Sequence, residues 1–530
     1  MNASAVTPVT WLLAATPVVV LFATALVRRI ATHHAALAVA VLTAVIGVTA
    51  FDAGGAVLGV AVGKGLWLGL WILCVVWPAL LLYGVARAGG LEQIGRTVAA
   101  LLPRRRERLL LLAWVLPSFI QGVAGFGTPI AVSAPLLLAA GWSPVRAVVY
   151  PLIGYHWSVT FGSMGSSFYM AALTAELGLA DQTAFALLAS TALAIHCVVA
   201  GALVLWLDGG LAAVREGLRM LVVAGAAMGG ALVGVALVVP AVASLAAGTV
   251  GLATVLVLSS LRGADRRTRP ILGASADHPV LDEGQRTSAT TSIAAFAPYL
   301  WLLLTALPVF LVPASRSWVR ANLLVAPGFG ETATGLGWVN AAVTDYTPIA
   351  LLGHPGSYVA LAAALGYLTY RAVGLLGPGG NRILRPWLAS LPKSSTSIAS
   401  LAVLATVMAD TGMVAVLAEG IAGVARGTFP ALSPVVGGIG SFITGSTTTS
   451  NALFAGLQLQ IAERLDVAPT VLLAAQTVGG NVGNAVAPVV ILIGATTIGD
   501  PDVLGTVLRR CLPAAGVLFA VAALITLLRV

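Results

Sequence analysis

The chain has 530 residues, 59% of them hydrophobic and 9% charged, and a formal net charge of +9. So few charges cannot coat a soluble globule of this length, so lipid must cover much of the surface. The basic residues fall in short clusters between apolar runs, which excludes a nucleic-acid patch, and Cys74, Cys197 and Cys511 sit in apolar segments at unrelated spacings that fit neither a disulfide framework nor a metal site.

Apolar runs of about 20 residues, each long enough to cross a bilayer as a helix, recur from end to end. The first, about 8 to 27, has no positive residue before it and Arg28 and Arg29 after it, the reverse of a secretory signal, so it is expected to stay as a span. Spans follow near 35 to 51 and 65 to 86. The stretch 109 to 140 is broken by Pro117, Gly122, Gly125, Gly127 and Pro129, the pattern of a hairpin that enters the membrane and returns. The run 145 to 172 is interrupted at Gly162, Ser163, Gly165, Ser166 and Ser167, which predicts a broken helix. Spans near 183 to 206, 220 to 239 and 241 to 260 lead to a polar linker from Arg262 to Ser292.

The order then repeats. Spans are expected near 293 to 313, 348 to 370 and 396 to 418, then a second hairpin from 430 to 460, an interrupted run from 469 to 498 and a last span near 504 to 528. Ser118-Phe119-Ile120-Gln121-Gly122 in the first hairpin reappears as Ser441-Phe442-Ile443-Thr444-Gly445 in the second, at the same place in the order of elements. The expected fold is therefore an all-α polytopic membrane protein of about 12 transmembrane helices in two inverted repeats, each with a re-entrant hairpin and a broken helix. Residues 1 to 210 form the first repeat, 211 to 292 two inserted spans and the linker, and 293 to 530 the second repeat.

Positive residues set the orientation, because cytoplasmic loops are rich in Lys and Arg. With both termini outside, the cytoplasmic side receives Arg28, Arg29, Arg87, Arg96, Arg104 to Arg108, Arg146, Arg215, Arg219, the linker arginines and the Arg371 to Lys393 group.

In transporters built this way substrate sits near the midplane, where unwound backbone and half-helix ends converge. The second tip carries Thr444, Ser446, Thr447, Thr448, Thr449, Ser450 and Asn451 around Gly445, a set of polar side chains that is costly in hydrocarbon unless it binds something. The first tip offers Gln121, Gly125, Gly127 and Thr128, and the breaks offer Ser163 and Ser166 in one half and Asn481 and Asn484 in the other. Exposed N–H groups at half-helix N-termini favour a carboxylate or similar anion. Among ionisable residues within spans, His156 and Asp410 are candidates for proton coupling, while His196 reads as structural. No HExxH, GxSxG or paired-carboxylate set appears, so an enzyme is not expected, and no metal or cofactor. A channel would need a polar stripe running right across the membrane.

At the hairpins and breaks the sequence resembles the bacterial L-lactate permease family, proton-linked carriers of lactate and glycolate. Gly122-Val123-Ala124-Gly125-Phe126-Gly127-Thr128-Pro129 looks like that family's first signature, and Thr444-Gly445-Ser446 with Thr449-Ser450-Asn451-Ala452-Leu453-Phe454 like its second. Phe161-Gly162-Ser163-Met164-Gly165 and Gly479-Gly480 extend the similarity. The resemblance implies a secondary transporter in a bacterial inner membrane, moving L-lactate or glycolate by alternating access with protons as the coupling ion, sodium being left open. Where the family has Glu, Asp and Gly-Lys, this chain has Gln121, Thr447 and Gly483-Asn484, so a different small anion, such as a sulfonate or another carboxylate, is the alternative substrate; an anion channel ranks below both. His156 stands where the family has a small or polar residue, which makes it a candidate to compensate for the lost acids, with a structural histidine as the alternative.

Overall fold

Apolar runs become helices that stop where glycine, proline or short polar stretches fall. The computed structural model describes residues 7–26, 32–90, 104–125, 127–263, 294–376 and 382–530. Arg28, Arg29, Arg96, Phe126 and nearly all of the midpoint linker lie outside the described residues.

The chain opens with α1 (Pro8–Leu26), α2 (Thr32–Phe51) and the longer α3 (Gly55–Gly89). Next come α4 (Arg105–Leu110), a π-helical turn over Leu111–Val115, and α5 (Leu116–Val123), which ends at the first tip; α6 (Thr128–Ala139) leaves it. The first interrupted run is α7 (Pro144–Tyr155) and α8 (Ser166–Thr174), joined by irregular chain.

Leu179–Ala236 (α9) forms one helical element, but Gly209 and Gly210 have non-helical torsions inside it. A Cβ on Gly217 would lie 2.7 Å from Leu205, and one on Gly229 would lie 3.0 Å from Ala194, so the second arm folds back along the first. The expected spans 183 to 206 and 220 to 239 are these two arms. α10 (Ala243–Gly263) follows.

After the linker, α11 (Ala297–Leu311) and α12 (Pro313–Ala321) meet at 96° across Val312, whose extended torsions precede Pro313. The next stretch corrects the all-α expectation. It holds four short strands, β1 (Leu324–Val325) paired with β4 (Ile349–Ala350), and β2 (Thr332–Ala333) paired with β3 (Val339–Asn340). These pairs cover only two residues a side, too short to leave an alternating pattern in the sequence. α13 (Pro355–Ala372) comes next.

The expected span 396 to 418 is also corrected: α14 (Leu384–Asp410) and α15 (Met413–Ala425) bend by 70° at Thr411–Gly412. Gly412 takes a left-handed φ of 83° with the Trp338 ring 3.2 Å from where its Cβ would be, so no other residue fits easily.

The second hairpin is α16 (Phe429–Thr444) and α17 (Thr447–Leu465), followed by α18 (Pro469–Ala485), α19 (Pro488–Thr497) and α20 (Leu504–Leu527). The break expected at Gly479 to Asn484 is not there; those residues are helical, and the interruption falls at Val486–Ala487. Their glycines serve packing instead. A Cβ on Gly479 would lie 1.7 Å from the Pro434 carbonyl oxygen and one on Gly483 2.0 Å from that of Gly438, so α18 lies backbone to backbone on α16.

Six described helices are long and apolar enough to cross a membrane, or up to eight if each bent pair is one span. α9, whose two arms fold back on each other, counts once in that number, and shorter apolar helices such as Thr128–Ala139 and Phe429–Thr444 are left out of it. The chain is a multi-pass membrane protein. α3 and α14 run antiparallel in close contact: a Cβ on Gly65 would lie 2.5 Å from Val403 Cα, and Trp77 Nε1 donates to Ser395 Oγ (3.0 Å).

Candidate functional site

Each tip is made by a glycine with positive φ between two helices. Gly445 (φ 71°) ends α16, and Ser446 caps α17, its hydroxyl accepting from Thr449 N (3.2 Å). Thr444 Oγ1 donates to Gly440 O (2.7 Å) and accepts from Ser446 N (3.3 Å). At the first tip Gly127 (φ 82°) precedes α6, and Thr128 N donates to Gly125 O (3.0 Å). Both tips rest on one face of α19. A Cβ on Gly445 would lie 2.1 Å from Val489, and one on Gly127 2.4 Å from Ile493, one turn further on.

The first break holds Ser163 (φ 46°), Met164 (φ 58°) and Gly165 (φ 70°) in succession, two of them strained as non-glycine residues. This turn brings Ser163 Oγ within 2.2 Å of where a Cβ on Gly125 would sit, and starts α8 at Ser166 facing the second tip. Ser166 Oγ and Ser167 Oγ lie 3.3 and 2.8 Å from Thr448 Oγ1, joining the two halves. Asn484 Nδ2 donates to Gly445 O (2.8 Å) and pins the second tip to α18.

These elements enclose a cavity of about 30 Å³. Of the residues expected to bind substrate, Gln121, Gly125, Gly127, Ser163, Ser166, Ser446, Thr447, Thr448 and Asn484 line it. Thr128 lines an adjoining cavity of about 300 Å³, and Thr444 and Thr449 line another of about 230 Å³, so both larger spaces border the small one through shared tip residues. Ser450, Asn451 and Asn481 line none of these three cavities. They stand deeper, in a polar array where Asn451 Nδ2 donates to Thr477 Oγ1 (2.9 Å), the Thr477 and Thr160 hydroxyls meet (3.0 Å), and Thr160 Oγ1 donates to Asn481 Oδ1 (2.9 Å).

The small cavity's lining includes no Lys, Arg, His, Asp or Glu. Gly127 and Thr128 at the start of α6, Ser166 at the start of α8, and Ser446 and Thr447 at the start of α17 place three helix N-termini around it and its larger neighbour. Aligned peptide dipoles at these N-termini attract an anion without a cationic side chain.

His156 and Asp410 line none of the three cavities. His156 Nδ1 is 2.7 Å from Ile153 O and Nε2 is 3.1 Å from His196 Nδ1, so both histidines are held in a buried pair. Asp410 is ion-paired to Lys64 (3.2 Å) between α14 and α3. Sequence reading missed Lys64, because the third span was started at residue 65 whereas the helix begins at Gly55; Gly63-Lys64-Gly65 within an apolar run is the signal that locates it. It also missed Tyr155, which lines the cavity as the last residue of α7.

Comparisons with known proteins come from sequence and from structure. A family model described as L-lactate permease matches residues 10–530. An L-lactate permease of Streptococcus iniae is 27% identical over 415 residues, covering 77% of this chain and 81% of that one. The glycolate permease GlcA of Escherichia coli K12 is 27% identical over 515 residues, covering 92% and 90%. An L-lactate permease of the same organism is 26% identical over 465 residues, covering 82% and 80%. Among solved structures, the Alcanivorax borkumensis YdaH transporter aligns with a TM-score of 0.45 at 17% identity over 89% of this chain and 87% of that one, a likeness too distant to fix the fold.

Proposed function

On the premise that this chain belongs to the L-lactate permease family, we propose that it is a secondary carrier of L-lactate or a related short 2-hydroxy carboxylate such as glycolate. The observation that carries this reading is the meeting of three helix N-termini at cavities whose shared border is lined by Gln121, Ser163, Ser166, Thr447, Thr448 and Asn484. A carboxylate accepts from backbone N–H groups, and hydroxyl and amide side chains suit the 2-hydroxyl. The named relatives are lactate and glycolate permeases, which supports the same class of cargo.

The architecture behind it is two inverted repeats, 1 to 210 and 293 to 530, with residues 109 to 140 and 430 to 460 as re-entrant hairpins and the inserted spans of 211 to 292 between them. The Ser118 to Gly122 and Ser441 to Gly445 match supports this, as does the chain reversal at Gly209 and Gly210. Arg105 and Arg106 pair with Asp208, and Arg106 with Glu216, so two of the basic clusters assigned to the cytoplasm share one face. Both termini then lie outside a bacterial cell membrane. Alternating access moves the tips and first break against α3 and α14, which border the two larger cavities through Val76 and Leu401.

Coupling by protons would run through His156 or Asp410, each already engaged by a buried partner. The neutral Gln121, Thr447 and Asn484 favour a sulfonate or another carboxylate as the second reading of the cargo. Counterflow of labelled L-lactate in proteoliposomes tests the proposal, with glycolate, acetate and small sulfonates as competitors. Saturable L-lactate exchange inhibited by glycolate is the expected result; exchange of a sulfonate without lactate would replace the cargo, and linear uptake without counterflow would replace the carrier by a channel.

A further inference from the structure

The two larger cavities share a wall but differ in chemistry. Val76 of α3 and Ile493 of α19 line both. At the second tip, hydroxyls dominate the cavity of about 230 Å³, among them Ser394 and Ser397 from α14 and Thr448 and Thr449 from α17. At the first tip, the cavity of about 300 Å³ is walled by Val76, Ala79 and Leu80 of α3, by Val123 and Ala124, and by Ala131 of α6; its only polar side chains are Tyr83, Thr128 and Ser163. Ala79 and Ala131 come from different helices, and a longer side chain at either position would take up the space.

The small cavity joins the two. Gly125, Gly127 and Ser163 line it together with the first-tip cavity, and Ser166, Ser446 and Thr448 line it together with the second-tip cavity. At about 30 Å³ it has room for a head group and no more. A carboxylate held there at the N-termini of α8 and α17 has hydroxyls on one side and an apolar chamber on the other. The N-terminus of α6 enters that chamber through Gly127, on the shared border, so its dipole acts at the head-group end and the α3 wall stays apolar. Glycolate has no alkyl group to place there and lactate only a methyl. Yet about 300 Å³ lies at the foot of the range that holds drug-sized ligands. Water against an apolar wall finds few partners, and an alkyl chain that displaces it gains affinity.

We propose that the preferred cargo is a 2-hydroxy carboxylate longer than lactate, with about three to four carbons beyond the one that bears the hydroxyl, such as 2-hydroxyvalerate or 2-hydroxyisocaproate. Its carboxylate occupies the small cavity, its hydroxyl faces Ser166 and Thr448, and its chain lies in the first-tip cavity, where Ala79 and Ala131 set the chain length. This deepens the carrier reading above and rests on it.

Counterflow of labelled L-lactate and, separately, of labelled 2-hydroxyisocaproate tests this in proteoliposomes, each set against protein-free liposomes. The competitors are glycolate, lactate, 2-hydroxybutyrate and 2-hydroxyvalerate. Burying one methylene is worth about 0.8 kcal/mol, so the concentration for half inhibition is expected to fall about fourfold with each carbon added beyond lactate. Ala79→Leu and Ala131→Leu, measured separately, are expected to reverse the order, so that lactate competes better than 2-hydroxyvalerate. Lactate exchange whose inhibition stays level or weakens with chain length overturns the inference and leaves the carrier reading standing. An unchanged order of competitors in both variants, each folded by its size-exclusion profile, overturns it as well; where a variant does not fold, the wild-type series decides. Exchange of the longer acid without exchange of lactate supports the chain-length site and removes lactate as cargo. Exchange of neither acid overturns both readings.

Discussion

Replacing Asp410 by Leu takes from Lys64 its ion-pair partner in the interior, and the cost follows from the pair's surroundings. Lys64 Nζ stands 3.2 and 3.4 Å from the two carboxylate oxygens, with side-chain exposures of 6% and 10% for Lys64 and Asp410. At 3.2 Å and an effective dielectric of about 20, the attraction is about 5 kcal/mol. Nothing else among the described residues replaces it at hydrogen-bond range: the Tyr346 ring centre is 5.8 Å from Nζ, Asn340 donates to the Asp410 backbone carbonyl rather than to its carboxylate, and the Glu176 carboxylate acts on Lys64 only through space. Losing one partner of a buried pair costs roughly 3–5 kcal/mol, whereas replacing both by apolar residues of similar volume is often close to neutral. The double variant Lys64→Met/Asp410→Leu should therefore unfold within about 1 kcal/mol of wild type, while Asp410→Leu and Lys64→Met alone each lose several. Tryptophan-fluorescence denaturation in detergent measures all four members of the cycle. Equal losses for the single and double variants would refute the reasoning, since they would make the site a packing position with no charge to compensate.

Thr448→Val removes the hydroxyl that meets both Ser166 and Ser167, and should raise KM for the anion about tenfold, about 1.4 kcal/mol, with folding unaffected, as read by counterflow and by size-exclusion profile. Gly445→Ala meets both a positive φ and Val489 at 2.1 Å, so transport should be lost, while Gly230→Ala, with open space around it, should transport at the wild-type rate. His156→Gln can keep a donor and an acceptor toward Ile153 and His196; uptake measured between pH 5.5 and 7.5 should keep its profile, and a flattened profile would make the histidine pair the proton carrier.

The tips were legible because a cluster of polar side chains around a glycine, set inside apolar runs, is too costly in lipid to stand without partners or a ligand. The cavity lies where Gln121, Ser163, Ser166, Thr447 and Thr448 were expected to converge. The glycines of α18 misled for a physical reason. Gly479 and Gly483 carry the same letter as Gly445, yet they are helical residues pressed on the carbonyls of Pro434 and Gly438, and composition cannot separate a glycine that unwinds from one that packs. The pairing of Asp410 with Lys64 spans 346 positions in sequence, and only the antiparallel contact of α3 and α14 brings it about.

In the proposed site, neutral Gln121, Thr447 and Asn484 stand where the resemblance implies charged residues, which would change how the anion is held and how readily it leaves. A lysine in the cavity would contribute one full charge on a flexible stem and would itself need a partner once the cargo departs. Helix N-termini contribute about half a charge each, fixed in direction, so three of them around the cavities offer roughly the charge of one to two cations. Emptying such a site strands no ionised side chain, because the dipoles are already satisfied along their helices except at the first turn, where Ser446 already caps α17 through Thr449 N. On the proposed alternating-access cycle, the unloaded carrier would then reorient at low cost, with no ionised side chain to compensate.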